Sequence, residues 1–563
     1  RVNPGHAKIF RMIYPKIPLA QSIIEICRAK GVTDIVISPG SRNAPLTIGF
    51  ASNPNFKCYS IADERCAAFF ATGMAQQLKK PVAVVCTSGS ALLNYYPAVA
   101  EAFYSKIPLI VISADRPHDK IDIGDGQTIR QENVYANHIL YSANLLEDAS
   151  AVNDAKINDA IAIAITQKGP VHINAPFEEP LYQTVTELSV QPLIDAIVVP
   201  DYSIQEDLTP YTTIWNTAKK KLVLVGVNYP GSIDSSIIEK LAKDPSVVVM
   251  TETTSNIHHD SFLNSIDTII TPFTQEDFEA FQPDVLLTFG GMVVSKRIKA
   301  FLRSYKPKEH WHIDMLRAYD TFSALTKHFA AEPNDFLTDL LAQTTEVSSD
   351  YSQKAIELKA LRKIKHDAYL SKIPFSDFKA FEIILPALPD NSQLQISNSS
   401  AIRYAQLFDI KSSVEVFCNR GTSGIDGSTS TAVGAAFASG KENILITGDV
   451  SFFYDSNALW NSYIPKDFKI VLINNGGGGI FRILPGHQET PVFNTYFETS
   501  HHLNAEHIAK TFGFEYQKAT DETELKAELT SFMRIGESPK ILEVFTPMLE
   551  NDKILLQYFK ELI

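Results

Sequence analysis

Residues 444–455 read Ile-Leu-Ile-Thr-Gly-Asp-Val-Ser-Phe-Phe-Tyr-Asp, and residues 471–481 read Val-Leu-Ile-Asn-Asn-Gly-Gly-Gly-Gly-Ile-Phe. Each stretch opens as an apolar strand. The first, Ile444–Thr447, runs into a Gly448-Asp449 turn, and the second, Ile470–Ile473, ends in Asn474-Asn475. Asp449 and Asn475 stand 26 positions apart. That spacing holds one crossover helix, which in a parallel sheet brings both strand ends to the same edge. A carboxylate and an amide oxygen then converge beside a helix N-terminus, a setting that suits a hard divalent cation holding a diphosphate. The plain alternative is a βαβ unit with a turn Asp and a capping Asn, both common at such places.

Bulk properties narrow the class. At about 150 residues per domain, 563 residues predict three to four domains. Apolar residues make up 45% and charged residues 20%, as in ordinary globular proteins. No apolar run approaches the roughly 20 residues of a membrane span. The net charge of −13 argues against a nucleic-acid partner and requires local Arg and Lys clusters for any anionic substrate. Cys27, Cys58, Cys66, Cys86 and Cys418 are odd in number and lack Cys-x-x-Cys spacing. They predict reduced thiols in a cytoplasmic protein, with neither a disulfide framework nor a zinc site. No signal-peptide pattern is present, and Met12 is read as the native start, with Arg1–Arg11 an added segment.

Short apolar strands alternate with amphipathic helical stretches, which predicts an α/β protein of doubly wound parallel sheets. Three blocks are expected, 12–190, 191–365 and 366–563. In the first, strands are predicted at Asp34–Ile37, Lys57–Ile61, Val82–Cys86, Leu109–Ser113 and Val171–Asn174. Leu222–Val225, Val247–Met250, Val285–Phe289 and His310–Ile313 build a Rossmann-like middle sheet. A charged helix near Tyr351–Tyr369 leads to the third block, with strands at Gln393–Ile396, Val414–Phe417, Ile444–Thr447, Ile470–Ile473 and Lys540–Val544. The first and third blocks share a strand, small-residue turn, helix, strand pattern, as duplication of one fold would produce; coincidence of common βαβ units is the alternative. The middle block's Val225-Gly-Val-Asn-Tyr-Pro-Gly-Ser lacks Gly-x-Gly-x-x-Gly spacing, so no nucleotide is expected there.

The Gly-Asp…Asn-Asn pattern resembles the metal–diphosphate motif of thiamine-diphosphate (ThDP) enzymes. Glu64, where a strand turns into an apolar helix, supplies the other half. An acid there is favourable at any helix N-terminus. The resemblance implies more: Glu64 would hydrogen-bond the cofactor's aminopyrimidine, and a dry cleft would raise its pKa for proton exchange.

Further segments resemble one family within these enzymes. They are Ser38-Pro-Gly-Ser-Arg-Asn-Ala-Pro-Leu-Thr47, Asp115-Arg-Pro117, Gln127-Thr-Ile-Arg-Gln131, Ser397-Asn-Ser399 with Arg403, and Asn419-Arg-Gly-Thr-Ser-Gly-Ile-Asp-Gly427. Nearly the whole chain from Met12 is similar to the 2-succinyl-5-enolpyruvyl-6-hydroxy-3-cyclohexene-1-carboxylate synthases of menaquinone biosynthesis, with the middle block the weaker match. The resemblance implies decarboxylation of 2-oxoglutarate and 1,4-addition of the succinyl carbanion equivalent to isochorismate. Both substrates are dicarboxylates, which the planar fork of Arg recognises well.

By the same resemblance, Ser41, Arg42, Arg116, Lys296 and Arg297 face isochorismate. Arg403 and Arg420 face 2-oxoglutarate, with Ser399 nearby. Gln127 orients the reacting centre, and Ile425 is the apolar wedge that bends ThDP. Ser399, Gly448, Asp449, Val450, Ser451 and Asn475, with Glu64 and Ile425, hold the cofactor. Asp449, Asn475 and the Gly477 carbonyl bind Mg²⁺ or Mn²⁺. For each Arg the alternative is an ordinary salt bridge. The resemblance also implies a homodimer or homotetramer with active sites at the subunit interface.

Three features depart from the pattern. Val450 replaces the superfamily's Gly or the family's usual Leu, Gly476 stands where Asn or Asp is frequent, and no decarboxylase-like His pair is present. His118 is read as a loop residue and His487 as a neighbour of the active-site mouth. The rival readings are another ThDP carboligase or decarboxylase, and a silent ThDP-fold binding protein.

Overall fold

The structure, a computed structural model, describes residues 12–563 except Gln205 and Pro485. The segment read as an addition, Arg1–Arg11, lies outside the described residues. Contacts divide the chain into two compact units. One holds the chain up to Pro200 with Ser430–Gly440 and Asn457–Ile464. The other holds Asp201–Thr429, Lys441–Ser456 and Pro465–Ile563.

The first unit is built on a six-stranded sheet of Asp34–Ile37, Lys57–Ser60, Val82–Cys86, Leu109–Asp115, Tyr141–Asn144 and Val171–Pro176. Numbered in chain order, these strands lie side by side as 2-1-3-4-6-5, all parallel. Val82–Cys86 and Leu109–Asp115 are buried along their whole length, as expected of central strands covered on both faces. The Glu64–Leu78 helix meets the Ser430–Gly440 segment backbone to backbone. A Cβ at Gly434 would fall 2.0 Å from the Phe70 carbonyl oxygen, and one at Gly73 would fall 2.1 Å from that of Thr431. Two glycines thus permit a crossing that larger residues would block.

The second unit carries two sheets. Gln393–Ile396, Glu415–Phe417, Asn443–Gly448, Lys469–Asn474, Glu515–Ala519 and Lys540–Phe545 form one. Its order is again 2-1-3-4-6-5, all parallel. The shared local patterns of the first and third blocks therefore extend to a shared topology. In both sheets, strands 1 and 3 are neighbours whose connections diverge, which opens a crevice at their carboxyl ends.

The other sheet, Lys221–Val225, Val247–Met250, Val285–Phe289, Glu309–Ile313 and Lys327–Phe329, runs 2-1-3-4-5. Here the backbone fills the crevice. Gly226 donates to the Phe289 carbonyl (2.9 Å) and Gly291 to that of Val227 (2.7 Å), and a Cβ on Gly226 would lie 1.9 Å from the Gly291 oxygen. Three strands beyond those predicted extend the main sheets, at Tyr141–Asn144, Lys327–Phe329 and Glu515–Ala519, each at a sheet edge, and Tyr14–Pro15 and Thr184–Val185 form a further unpredicted antiparallel pair. The charged helix spans Tyr351–Leu370. Among the described residues no helix is long and apolar enough to cross a membrane.

A buried acid fixes the entry to the Lys296–Ser304 helix. Glu252, 3% exposed, follows strand Val247–Met250 and accepts from the backbone N–H of Val294 (2.7 Å) and Ser295 (2.8 Å). The Ser295 hydroxyl caps the helix and also bonds Asp267. Burial pushes the Glu252 pKa up to about 7, against the two N–H donors and the Arg420 charge that lower it. Below about pH 4.5 both folded and unfolded chains hold the proton. Between there and pH 7 only the folded chain does, so stability falls as pH rises through this window, on the order of 3 kcal/mol in all. Glu252→Gln keeps an acceptor oxygen without the charge. Its Tm relative to the parent should therefore rise between pH 5 and 8 in thermal unfolding; a difference that stays constant with pH would contradict this account.

Candidate functional site

The second unit's crevice opens between the segments after Gln393–Ile396 and Asn443–Gly448. A cleft lies there, the concave kind of place in which small ligands are commonly held. The structure brings Ser399, Ile425, Gly448, Asp449, Val450, Ser451, Asn475 and Gly477 to its lining. Asp449 and Asn475 reach it because their strands are adjacent and parallel, with Gly448 opposite Ile473. Ser399 adopts φ 68°, a strained conformation for a residue with a Cβ and one that clusters at functional sites. The Ser451 hydroxyl donates to the Ile425 carbonyl (2.6 Å) and so ties the apolar Ile425 turn to the helix after Asp449.

Asp449 is 3% exposed, and backbone donors orient both of its oxygens. Oδ1 accepts from Val450 N–H (2.6 Å), and Oδ2 from Gly476 (2.8 Å) and Gly477 (3.0 Å). The four-glycine loop is held from its other side. His501 N–H donates to the Gly476 carbonyl (2.9 Å), and Gly478 N–H to the Glu498 carbonyl (2.6 Å). A Cβ at Gly477 would lie 2.7 Å from that Glu498 oxygen. Gly476 has φ 81°, which Gly, Asn and Asp all tolerate, so the departure at this position keeps the turn.

Asn475 donates from Nδ2 to Asp377 Oδ2 (2.9 Å), leaving its amide oxygen as the acceptor end. Burial pushes the Asp377 pKa up to about 6, opposed by hydrogen bonds from Thr546 and Asn475. His501 Nε2 lies 3.4 Å from Asp449 Oδ2, and that carboxylate raises the imidazole's pKa. Among the described residues no three His, Cys, Asp or Glu side chains gather as a metal site. A cation here would draw on one carboxylate, an amide oxygen and a main-chain carbonyl. Those hard oxygen donors suit Mg²⁺ or Mn²⁺ with diphosphate oxygens completing the shell. An added Cβ at Gly448 meets nothing within 4 Å, so the floor of the cleft has room for such a group. The residues present fit ThDP and its metal.

A basic cluster occupies the same unit. Burial and the nearby Arg420 charge lower the Arg403 pKa, and Arg420 and Lys296 both lower that of Lys299, where burial again leads. Arg420 Nη1 donates to Asn398 Oδ1 (2.7 Å), while its buried Nε has no partner. Arg297 stacks on the Phe559 ring at 4.7 Å and feels Asp267. Among the described residues, no carboxylate forms an ion pair with Lys299, Arg403 or Arg420. Half-buried cations left unpaired are suited to carboxylate ligands.

In the first unit, predicted residues again follow strand ends. Arg42 is buried and donates to the Phe177 carbonyl (2.9 Å) and Glu179 (3.1 Å). Arg116 donates to the Gly126 carbonyl (3.0 Å) and shares Glu179 at 4.0 Å. Ser41 and Gln127 are exposed, and the Gln127 backbone lies against Gly89 with φ 55°. Glu64 opens its helix behind the Asp63 cap, whose carboxylate accepts from Cys66 N–H (3.1 Å) and Asn457 (2.9 Å). Burial raises the Glu64 pKa. His118 starts a short 3₁₀ turn and bonds Glu132 (3.0 Å). His487 contacts the Leu484 carbonyl and the Phe493 ring and does not line the cleft. Sequence reasoning missed Asp377, Glu252, Lys299, Glu498 and His501. Only His501 had a local signal, as one of the paired histidines 501–502 shortly after the glycine loop.

Comparison with known proteins gives the family. The model described as "Thiamine pyrophosphate enzyme, N-terminal TPP binding domain" matches residues 17–137. "Middle domain of thiamine pyrophosphate" matches 204–396, and the C-terminal TPP binding domain matches 399–544. A 2-succinyl-5-enolpyruvyl-6-hydroxy-3-cyclohexene-1-carboxylate synthase of Flavobacterium johnsoniae is 71% identical over 98% of this chain and 100% of its own. That of Flavobacterium psychrophilum is 67% identical over 98% and 100%. That of Christiangramia forsetii is 52% identical over 97% and 99%. At this identity and coverage, the chain belongs to the 2-succinyl-5-enolpyruvyl-6-hydroxy-3-cyclohexene-1-carboxylate synthase family of thiamine-diphosphate enzymes.

Proposed function

We propose that the protein decarboxylates 2-oxoglutarate and adds the remaining four-carbon unit in 1,4 fashion to isochorismate, releasing CO₂, in menaquinone biosynthesis. The observation that carries this is the pairing of a diphosphate-type cleft around Asp449 with unpaired cations at Arg403, Arg420 and Lys299. A pyruvate-specific carboligase has a methyl group to accommodate and needs no such cluster. A silent binding protein has no use for an acid whose proton burial favours, as it does at Glu64.

When bound, ThDP supplies the nucleophilic carbon that makes loss of CO₂ from a 2-oxo acid feasible. The chain's own residues do the rest. Asp449, Asn475 and the Gly477 carbonyl hold the cation, and Ser399, Gly448, Val450 and Ser451 line the diphosphate's place. Ile425 presents an apolar edge to the cofactor. Glu64, its pKa raised by burial, exchanges a proton with the aminopyrimidine. Arg403 and Arg420 bind 2-oxoglutarate. Ser41, Arg42, Arg116, Lys296 and Arg297 bind isochorismate, and Gln127 orients the reacting groups.

Three working domains, 12–190, 191–365 and 366–563, are supported by the three parallel sheets. A homo-oligomer, dimer or tetramer, is supported by exposed apolar side chains in one stretch beside the cleft: Leu484, Val492, Tyr496, Phe497 and Leu503. In it, Glu64 of one copy serves the cofactor of another. A cytoplasmic location is supported by five free cysteines.

The test is loss of isochorismate absorbance with protein, ThDP, Mg²⁺ and 2-oxoglutarate, omitting one at a time. Loss that needs every component is expected; loss of CO₂ from 2-oxoglutarate with isochorismate untouched would overturn the acceptor. Glu64→Gln should lower kcat by about 10²- to 10⁴-fold, and full turnover would remove Glu64 from the chemistry. Arg403→Ala should raise KM for 2-oxoglutarate by about 10- to 100-fold, the worth of one charged hydrogen bond, and Arg116→Ala should do so for isochorismate. The reverse pattern in steady-state kinetics would exchange the two subsites.

A further inference from the structure

Asp377 is 2% exposed and lines the cleft, although no motif announced it. It is the first residue of the Asp377–Ile384 helix, capped by Ser376. Three hydrogen bonds hold it. Oδ1 accepts from the Thr546 hydroxyl (2.5 Å), Oδ2 accepts from Asn475 Nδ2 (2.9 Å), and its own N–H donates to Asn551 Oδ1 (2.8 Å). Thr546 follows strand Lys540–Phe545 and Asn475 follows strand Lys469–Asn474, so the carboxylate bridges two neighbouring strand ends.

The chemistry of the pair is directional. A primary amide has a donor end and an acceptor end of nearly the same shape, and an unconstrained Asn turns either way. An ionised carboxylate only accepts. It therefore takes the NH₂ of Asn475 and leaves the amide oxygen for the other side. Its second oxygen is already occupied by Thr546, so the carboxylate cannot swing away. Burying a charge is costly unless its hydrogen bonds are made. Here one of those bonds falls on a residue read as a metal ligand.

We propose that Asp377 is a positioning residue, which sets the Asn475 amide so that its oxygen is offered to the cation of the diphosphate site. This rests on the reading of Asn475 as a ligand. Outer partners of metal ligands typically contribute about 10- to 100-fold in metal affinity. Asp377 touches neither substrate nor reacting atoms in this account.

The experiment is calorimetric titration of Mg²⁺ into the full-length protein with excess ThDP, together with Tm for each variant. Asp377→Ala should raise the half-saturating Mg²⁺ by about 10- to 100-fold. Asp377→Asn, which retains an acceptor oxygen, should restore it to within about threefold of the parent, as one retained neutral hydrogen bond allows. Because Asp377 acts through Asn475, Asp377→Ala/Asn475→Ala should need no more Mg²⁺ than Asn475→Ala alone. If Asp377→Ala does not fold, Thr546→Val frees the carboxylate and should shift the titration in the same direction. A lowered Tm with unchanged Mg²⁺ dependence, or multiplying effects in the double variant, would overturn the inference while leaving Asn475 a ligand. An unchanged titration in Asn475→Ala would overturn the ligand reading as well.

Discussion

The Asp449 carboxylate, accepting from the backbone of Gly476 and Gly477, is the constraint on which the cleft depends. Parallel pairing alone brings two strand ends to one edge; it does not decide what the chain does next. With Oδ2 bonded to two successive N–H groups, the loop after Lys469–Asn474 must turn across the end of Asn443–Gly448. Gly476 then needs a left-handed conformation, and Gly477 must leave room for the Glu498 carbonyl. The glycine run is thus a steric consequence of one carboxylate held between two strands.

The same architecture sorts charge. The chain carries a net −13, yet the carboxyl ends of its strands present Arg42, Arg116, Arg403 and Arg420. Acids pair directly with Arg42 and Arg116 in the first unit, whereas those near Arg403 and Arg420 are engaged elsewhere. Glu252 caps N–H groups, Asp267 takes the Ser295 hydroxyl, and Glu179 is shared between two guanidiniums. Cations held this way keep their affinity for dicarboxylates, and the negative surround limits nonspecific anion binding.

Central strands were readable from sequence because a strand buried on both faces must be an apolar run. The three strands of the main sheets that went unseen are edge strands: Tyr141–Asn144 buries only Ala143, Lys327–Phe329 only Phe329, and Glu515–Ala519 only Ala519. Their polar residues face solvent, which suits an edge and erases the periodic signal. The cleft followed the same logic. Residues at strand ends, such as Ser399, Asp449 and Asn475, belong to local motifs. Asp377, Glu498 and Glu252 arrive from other segments through a few hydrogen bonds each, and no spacing records that. The closed crevice of the middle sheet could be foreseen only as a missing fingerprint; its cause is the Gly226–Gly291 contact.

The most direct measurement is calorimetric binding of ThDP to the parent chain and to Asp449→Ala, each with Mg²⁺ and with chelator. Saturable binding that requires Mg²⁺ is expected in the parent and is lost in Asp449→Ala, with the circular dichroism spectrum unchanged. Equal binding in both proteins, or binding indifferent to the cation, would contradict it.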